Sequence, residues 1–282
     1  MSDVIEQPPM KKGRLSGTAL RVVTVVPLIP FILWMMFAGP RWLWYAFILA
    51  AIGIGGYEMM GMKVPSSRGL RAWGAASSMM FAAAIMFLNS GTGFYGVTLI
   101  IILGAMVWSL LQEDPLHNAS VHVGWLLATP IYVGGCLSAV ALVRDFPPTG
   151  AWVLLTMVLA WGSDTAAYFV GRRFGKTKLA PRISPKKTLE GSAGGLAAAV
   201  VGAVIMSLFL PNLGAADAVA LGIIGGAAGQ AGDLLMSVLK RSSGVKDSGG
   251  ILPGHGGILD RVDALAFTAP ATWAYGHFIA GF

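Results

Sequence analysis

Charge is scarce in this chain. Asp, Glu, Lys and Arg make up 12% of its 282 residues, against about 25% in an ordinary soluble domain, and the shortage excludes a water-exposed globular surface. Cysteine is nearly absent. Cys136 stands alone in an apolar run, which excludes an intramolecular disulfide and a cysteine-based zinc cluster and leaves a small packing residue. Histidine is sparse too: His117, His122 and His277 are isolated and lack metal-ligand spacing.

What is abundant is apolar. Hydrophobic residues make up 55% of the chain and mean hydropathy is +0.70. A crossing of the hydrocarbon takes about 20 apolar residues, and runs at 20–38, 42–61, 72–90, 94–112, 123–143, 150–171, 191–210, 215–236 and 262–281 predict an all-α, polytopic integral membrane protein of about nine transmembrane helices. The first run is too long for a signal h-region and is followed by further spans, so it is expected to remain as the first helix. Residues 1–19, with Pro8, Pro9, Lys11, Lys12 and Arg14, form a basic tail. Residues 20–282 form one transmembrane domain, whose C-terminal half, 150–282, carries the candidate site.

Lys and Arg are distributed unevenly. With the N-terminus in the cytoplasm, Lys63, Arg68, Arg71, the basic residues between 172 and 187, Lys240, Arg241, Lys246 and Arg261 all fall on the cytoplasmic side. Only Arg41 and Arg144 fall outside, as the positive-inside rule predicts. The expected location is the bacterial cytoplasmic (inner) membrane, with the site facing the cytoplasm. The formal net charge of +7 then reflects topology and anionic head groups. Nucleic acid is not an expected partner, because no soluble basic module is present. The 38 glycines suit close helix packing, and a homodimer packed through Gly-rich helices is compatible with the sequence.

Carboxylates inside spans are costly and mark function. Glu58, Asp164, Asp233, Asp260 and Asp263 come from four separate spans, the last two opening the same one, yet the topology directs all of them toward one leaflet. Glu58 and Asp263 are read equally well as helix-end acids paired with a neighbouring cation. Gln230, Asp233, Ser237 and then Lys240 or Arg241 recur every three or four residues and share a helix face. Oxygen ligands at that depth suit Mg²⁺, which uses one or two protein carboxylates plus water and phosphate oxygens. The cations above them suit the phosphates that the metal leaves uncovered.

Beyond that helix, residues 237–263 concentrate charge around Gly249, Gly250, Gly254, Gly256 and Gly257. Such a loop lets consecutive amides face an anion. It also carries Lys246, Asp247 and His255; the histidine suits phosphate contact or a structural role better than general base catalysis, since a phosphate nucleophile is already anionic. A second polar cluster runs from Asp164 through Tyr168 to the basic segment 172–187. There Ser184, Lys186, Lys187, Thr188 and Glu190 are expected to form a donor-rich turn that receives a polyphosphate. Met-rich and aromatic stretches at 34–37, 42–45 and 79–81 are expected to face lipid or the interface.

Residues Ser237, Lys240, Arg241, Lys246, Asp247, Gly249, Leu252, Pro253, His255, Gly256, Gly257, Asp260, Arg261 and Asp263 resemble the signature of the phosphatidate cytidylyltransferases, also called CDP-diacylglycerol synthases. Asp164, Ala167, Tyr168 and Gly171, with the SPKKTLEG segment, are similar to that family's second motif. The resemblance implies transfer of a cytidylyl group from CTP to phosphatidic acid, a membrane phospholipid, with release of pyrophosphate. It implies that Asp233 and Asp260 hold the catalytic metal: Mg²⁺, with a monovalent cation such as K⁺ as a second-site candidate. Asp233, Asp260, Lys246 and His255 are the expected catalytic group. Asp164, Ser184, Lys186, Lys187, Glu190, Ser237, Lys240, Arg241, Gly256, Gly257 and Arg261 are expected to bind substrate. The residues alone leave two rivals open, a CTP-dependent lipid or polyprenol kinase and an ion-coupled transporter.

Overall fold

The computed structural model describes residues 28–111, 116–251 and 256–282. The tail at 1–19 and His255 lie outside the described residues. Seven of the described helices are long and apolar enough to cross a membrane: Arg41–Lys63, Arg68–Phe87, Gly91–Leu110, Ala119–Val143, Ala151–Phe174, Leu189–Ser207 and Ala215–Ser242. Of the two terminal segments, the first lies partly outside the described residues and the last differs from expectation. The first is described only as Leu28–Phe37. The last is a single turn, Leu259–Val262, followed by the short helix Leu265–Phe278. Pro270 inside that helix removes one backbone donor from the ladder.

Local chemistry sets the helix ends. Pro40 precedes Arg41–Lys63 in extended conformation. The hydroxyls of Ser67, Ser90 and Thr188 accept the amides of Leu70, Gly93 and Gly191 and cap the helices that follow. Two spans that the apolar pattern shows as unbroken contain π-helical segments, Pro130–Cys136 and Val158–Gly162. Pro130 cannot donate to the i−4 carbonyl and so interrupts the α ladder of its own span.

The aromatic stretches are split rather than lipid-facing. Trp34, Phe37 and Trp42 are exposed, while Met35, Met36, Trp44 and Tyr45 enter the core beside Val140, Trp152 and Leu155. Successive helical residues point some 100° apart, so one apolar run serves both surfaces. Arg144 is likewise no loop cation. It is 4% exposed, and its Nε donates to the carbonyls of Met35 and Met36 at 3.2 and 3.0 Å while Nη2 donates to Gly39. The Met35 and Met36 carbonyls lie in the last turn of Leu28–Phe37, where the final carbonyls have no partner within the helix, and Gly39 follows just beyond it. Arg41, by contrast, is mostly exposed and pairs with Asp145 at 2.8 Å.

Close approach of backbones places the site. A Cβ on Gly191 would lie 2.7 Å from the carbonyl oxygen of Ala167, and one on Gly195 2.7 Å from that of Ser163. Only glycine lets Leu189–Ser207 pack so tightly against Ser163–Phe174.

Candidate active site

The segment expected as a turn is a strand. Ser184–Thr188 (β2) pairs antiparallel with Lys178–Ala180 (β1), with Lys178 opposite Thr188 and Ala180 opposite Ser184. Glu190 closes the base of this hairpin by accepting the amides of Lys176 at 3.0 Å and Thr177 at 3.1 Å. The Leu189 amide donates to the Thr177 carbonyl at 2.9 Å. Both Glu190 oxygens are committed to backbone, so Glu190 holds the hairpin that presents Lys186 and Lys187. Apolar periodicity gives no sign of a three-residue strand, and burial along β2 does not alternate either.

Between the hairpin and the helices lies a cavity of about 540 Å³. Asp164, Tyr168 and Arg172 line one side, Lys186 and Lys187 the hairpin side, and Ser192, Gln230 and Asp233 the floor. Lys187 Nζ forms an ion pair with Asp233 Oδ2. Ser192 Oγ meets Gln230 Oε1, and Gln230 Nε2 donates back to the Ser192 carbonyl at 2.9 Å. This pair fixes the register between Leu189–Ser207 and Ala215–Ser242 next to Asp233. Ser163 Oγ and Tyr132 Oη are buried with no hydrogen-bond partner among the described residues.

A second centre lies two turns along the same helix. Asp233 and Lys240 are separated by seven residues, about 10 Å at helical rise. Lys240 Nζ stands 2.7 Å from Asp260 Oδ1. The other oxygen, Oδ2, accepts the Ser248 amide at 2.9 Å, the Ser248 hydroxyl at 3.0 Å and the Gly257 amide at 3.1 Å. Burial alone would raise the pKa of this carboxyl. Lys240 and the two amides outweigh it and hold Asp260 below the usual carboxylate value. The chain then crosses the helix closely enough that a Cβ on Gly232 would lie 2.5 Å from the Asp263 carbonyl oxygen. The turn after Asp260 therefore passes beside Asp233.

Not every expected residue gathers at these centres. The shared face of 230–241 splits, because Lys240 turns to Asp260 while Arg241 is exposed and donates to the Val245 carbonyl at 3.4 Å. Ser237 is half-buried on the stretch between the centres, and Lys246 is exposed at the loop entrance. Arg261 is exposed, with its carbonyl accepting Trp161 Nε1 at 3.2 Å. Gly256, with φ of 80°, turns the chain into Gly257, whose amide faces the chain's own Asp260. The expectation was that these amides face a phosphate. Sequence reasoning also missed Ser248, which is buried and touches two carboxylates, and left Glu58 open between a functional acid and a paired helix-end acid. Glu58 instead accepts Ser248 Oγ and the amides of Ile258 and Leu259. Its isolation in an apolar helix was the available signal.

Comparison with known proteins fits this arrangement. A model of the cytidylyltransferase family matches residues 19–279. The chain is 32% identical to a phosphatidate cytidylyltransferase of Pseudomonas aeruginosa, over 91% of this chain and 97% of the relative. It is 32% identical to one from Brucella suis, over 94% and 96%. To one from Bacillus subtilis it is 37% identical over 65% of this chain and 68% of the relative. The matched region takes in both centres and the helices that carry them, and the chain belongs to the cytidylyltransferase family.

Proposed function

We propose that this protein is a phosphatidate cytidylyltransferase, which joins the cytidylyl group of CTP to phosphatidic acid and releases CDP-diacylglycerol and pyrophosphate. The observation that carries the reading is similarity to enzymes of that name over more than nine-tenths of the chain. The geometry supports it: two acid–lysine pairs each draw one member, Asp233 and Lys240, from a single helix on which these residues lie about 10 Å apart, and one pair opens into a cavity walled by a basic hairpin. The one-sided distribution of Lys and Arg supports a site that faces the cytoplasm in the inner membrane. There CTP arrives from water and the lipid from the bilayer.

In this mechanism a phosphate oxygen of phosphatidic acid attacks the α-phosphorus of CTP. A P–O bond forms there, and the bond from that phosphorus to the oxygen bridging to the β-phosphate breaks. Pyrophosphate leaves with the bonding electrons. No base is needed, since the attacking oxygen is already anionic. Lys186 and Lys187 on the hairpin, with Arg172 across the cavity, bind the triphosphate. Lys240 offsets phosphate charge at the Asp260 centre, and the exposed Lys246 and Arg261 attract the lipid and nucleotide phosphates from the surface.

The donor set suits Mg²⁺. Among the described residues no group of three or more His, Cys, Asp or Glu forms a closed metal cage, and Mg²⁺ uses only one or two carboxylates with water and substrate phosphates. Asp233, which lines the cavity with Asp164, and Asp260 would each hold a metal ion. Bound there, Mg²⁺ would screen the repulsion between two anions and the charge on the leaving group.

The test supplies purified protein with phosphatidic acid vesicles and CTP labelled in the cytosine ring. Mg²⁺-dependent label in the lipid phase, lost in folded Asp233→Asn and Asp260→Asn, is the expected result. Lipid that gains phosphate while cytosine stays in water would replace this reading with a kinase. Solute flux without a lipid product would replace it with a transporter.

A further inference from the structure

Glu58 has no part in the mechanism above, yet it is among the most enclosed charged side chains of the protein. It lies on Arg41–Lys63 and is 4% exposed. Among the described residues no cation pairs with it. Its partners all come from the far end of the chain. Oε1 accepts the Ile258 amide at 3.1 Å, and Oε2 accepts the Leu259 amide at 3.1 Å and the Ser248 hydroxyl at 3.3 Å. Backbone is pressed against it from both sides: a Cβ on Gly249 would lie 2.5 Å from Oε1, and one on Gly257 2.5 Å from Oε2. Two of the loop glycines thus make room for a carboxylate of the protein.

The same few groups hold Asp260. Ser248 Oγ lies 3.3 Å from Glu58 and 3.0 Å from Asp260, and the Ser248 and Gly257 amides also point at Asp260. Glu58 therefore grips the chain just before and just after residues 249–257, while Asp260 takes the inner donors of the same two strands of backbone. We infer that Glu58 is a positioning residue: by fixing Ser248, Ile258 and Leu259 it sets where the Asp260 carboxylate stands relative to Lys240 and Asp233. This rests on the proposed function for its catalytic consequence, though not for its geometry. It also gives the N-terminal half of the chain a part in the site.

Glu58→Gln tests it, because the volume is kept while one acceptor oxygen becomes an NH₂ that cannot accept from the facing donors. Ser248→Ala is the second variant and leaves the Arg41–Lys63 helix untouched. Three quantities are measured on full-length protein in detergent: amide hydrogen exchange, kcat and KM for CTP, and the Mg²⁺ concentration giving half-maximal activity. The expected result for Glu58→Gln is faster exchange confined to residues 246–250 and 256–262, with residues 225–240 unchanged. Turnover falls and half-activation by Mg²⁺ moves to higher concentration, by roughly 10- to 100-fold, the range found when groups supporting a metal ligand are removed. Ser248→Ala moves in the same direction by less. Several outcomes overturn the inference: exchange that rises throughout the protein, local exchange that rises with kcat and Mg²⁺ dependence unchanged, or a Ser248→Ala protein indistinguishable from the parent. If the unaltered protein makes no CDP-diacylglycerol, the proposed function fails, and the exchange pattern still decides whether Glu58 fixes the loop.

Discussion

Arg144→Met removes a buried guanidinium while keeping most of its stem. The Met35, Met36 and Gly39 carbonyls lose their donors, and water cannot readily replace them because Met35 and Met36 are fully buried. Two of the three contacts share Nε, so the loss amounts to two bonds from a charged donor, about 1.5–3 kcal/mol each. Against this, methionine escapes the cost of burying a charge, and replacement of buried ions by apolar groups can return about 1–4 kcal/mol. The net expectation is a destabilisation of about 2–3 kcal/mol. At roughly 2–4 °C per kcal/mol for a chain of this size, the thermal midpoint falls by about 5–10 °C. The assay is unfolding in detergent followed by tryptophan fluorescence, with CDP-diacylglycerol synthesis measured at 20 °C on the same preparation. Synthesis stays near the parent level, since Arg144 contacts neither acid–lysine centre. A midpoint within 1 °C of the parent would refute the reasoning, and so would lost synthesis at an unchanged midpoint.

Glu190→Ala frees the Lys176 and Thr177 amides and loosens the hairpin. KM for CTP should rise several-fold with a smaller change in kcat, and trypsin should cleave faster between 176 and 187. Lys187→Met and Asp233→Asn should each cost about 100-fold or more in kcat/KM, while the double variant should lose much less than the product of the two, because the groups act as a unit. Gly195→Val drives its Cβ into the Ser163 carbonyl, separating the two helices that wall the cavity. It should destabilise the protein by about 1–3 kcal/mol and weaken CTP binding measured by calorimetry.

The apolar runs announced the membrane helices because length and hydropathy are local properties. The seven long spans fall within a few residues of the apolar segments. Asp233 and Asp260 stood out for the same reason: a carboxylate in or beside an apolar run is visible by contrast. What a linear pattern does not carry is the identity of a partner far along the chain. Glu58 and Ser248 are 190 residues apart, and no spacing rule joins them. Arg144 reads as a loop cation because it falls between the apolar runs 123–143 and 150–171. Its inward role depends on where the Leu28–Phe37 helix happens to end. The β1–β2 pair was hidden because short strands rest on one another and on Glu190 rather than on an apolar face.

The π-helical segment Val158–Gly162 has a consequence for how this protein tolerates change in length. A π turn accommodates an extra residue, so Ala151–Met157 and Ser163–Phe174 are out of phase relative to one continuous α-helix. Removing one residue within Val158–Gly162 would leave a regular α-helix with Asp164 and Tyr168 still on the cavity side, whereas removing one from Ala151–Met157, where no wide turn absorbs the change, would rotate everything downstream by about 100°. Asp164 and Tyr168 would then swing out of the cavity while the span kept its apolar character and nearly its length. Insertion and membrane crossing would survive such a deletion, and the wall of the cavity would not. In this stretch the reading frame of the helix, more than its composition, is what selection has to guard.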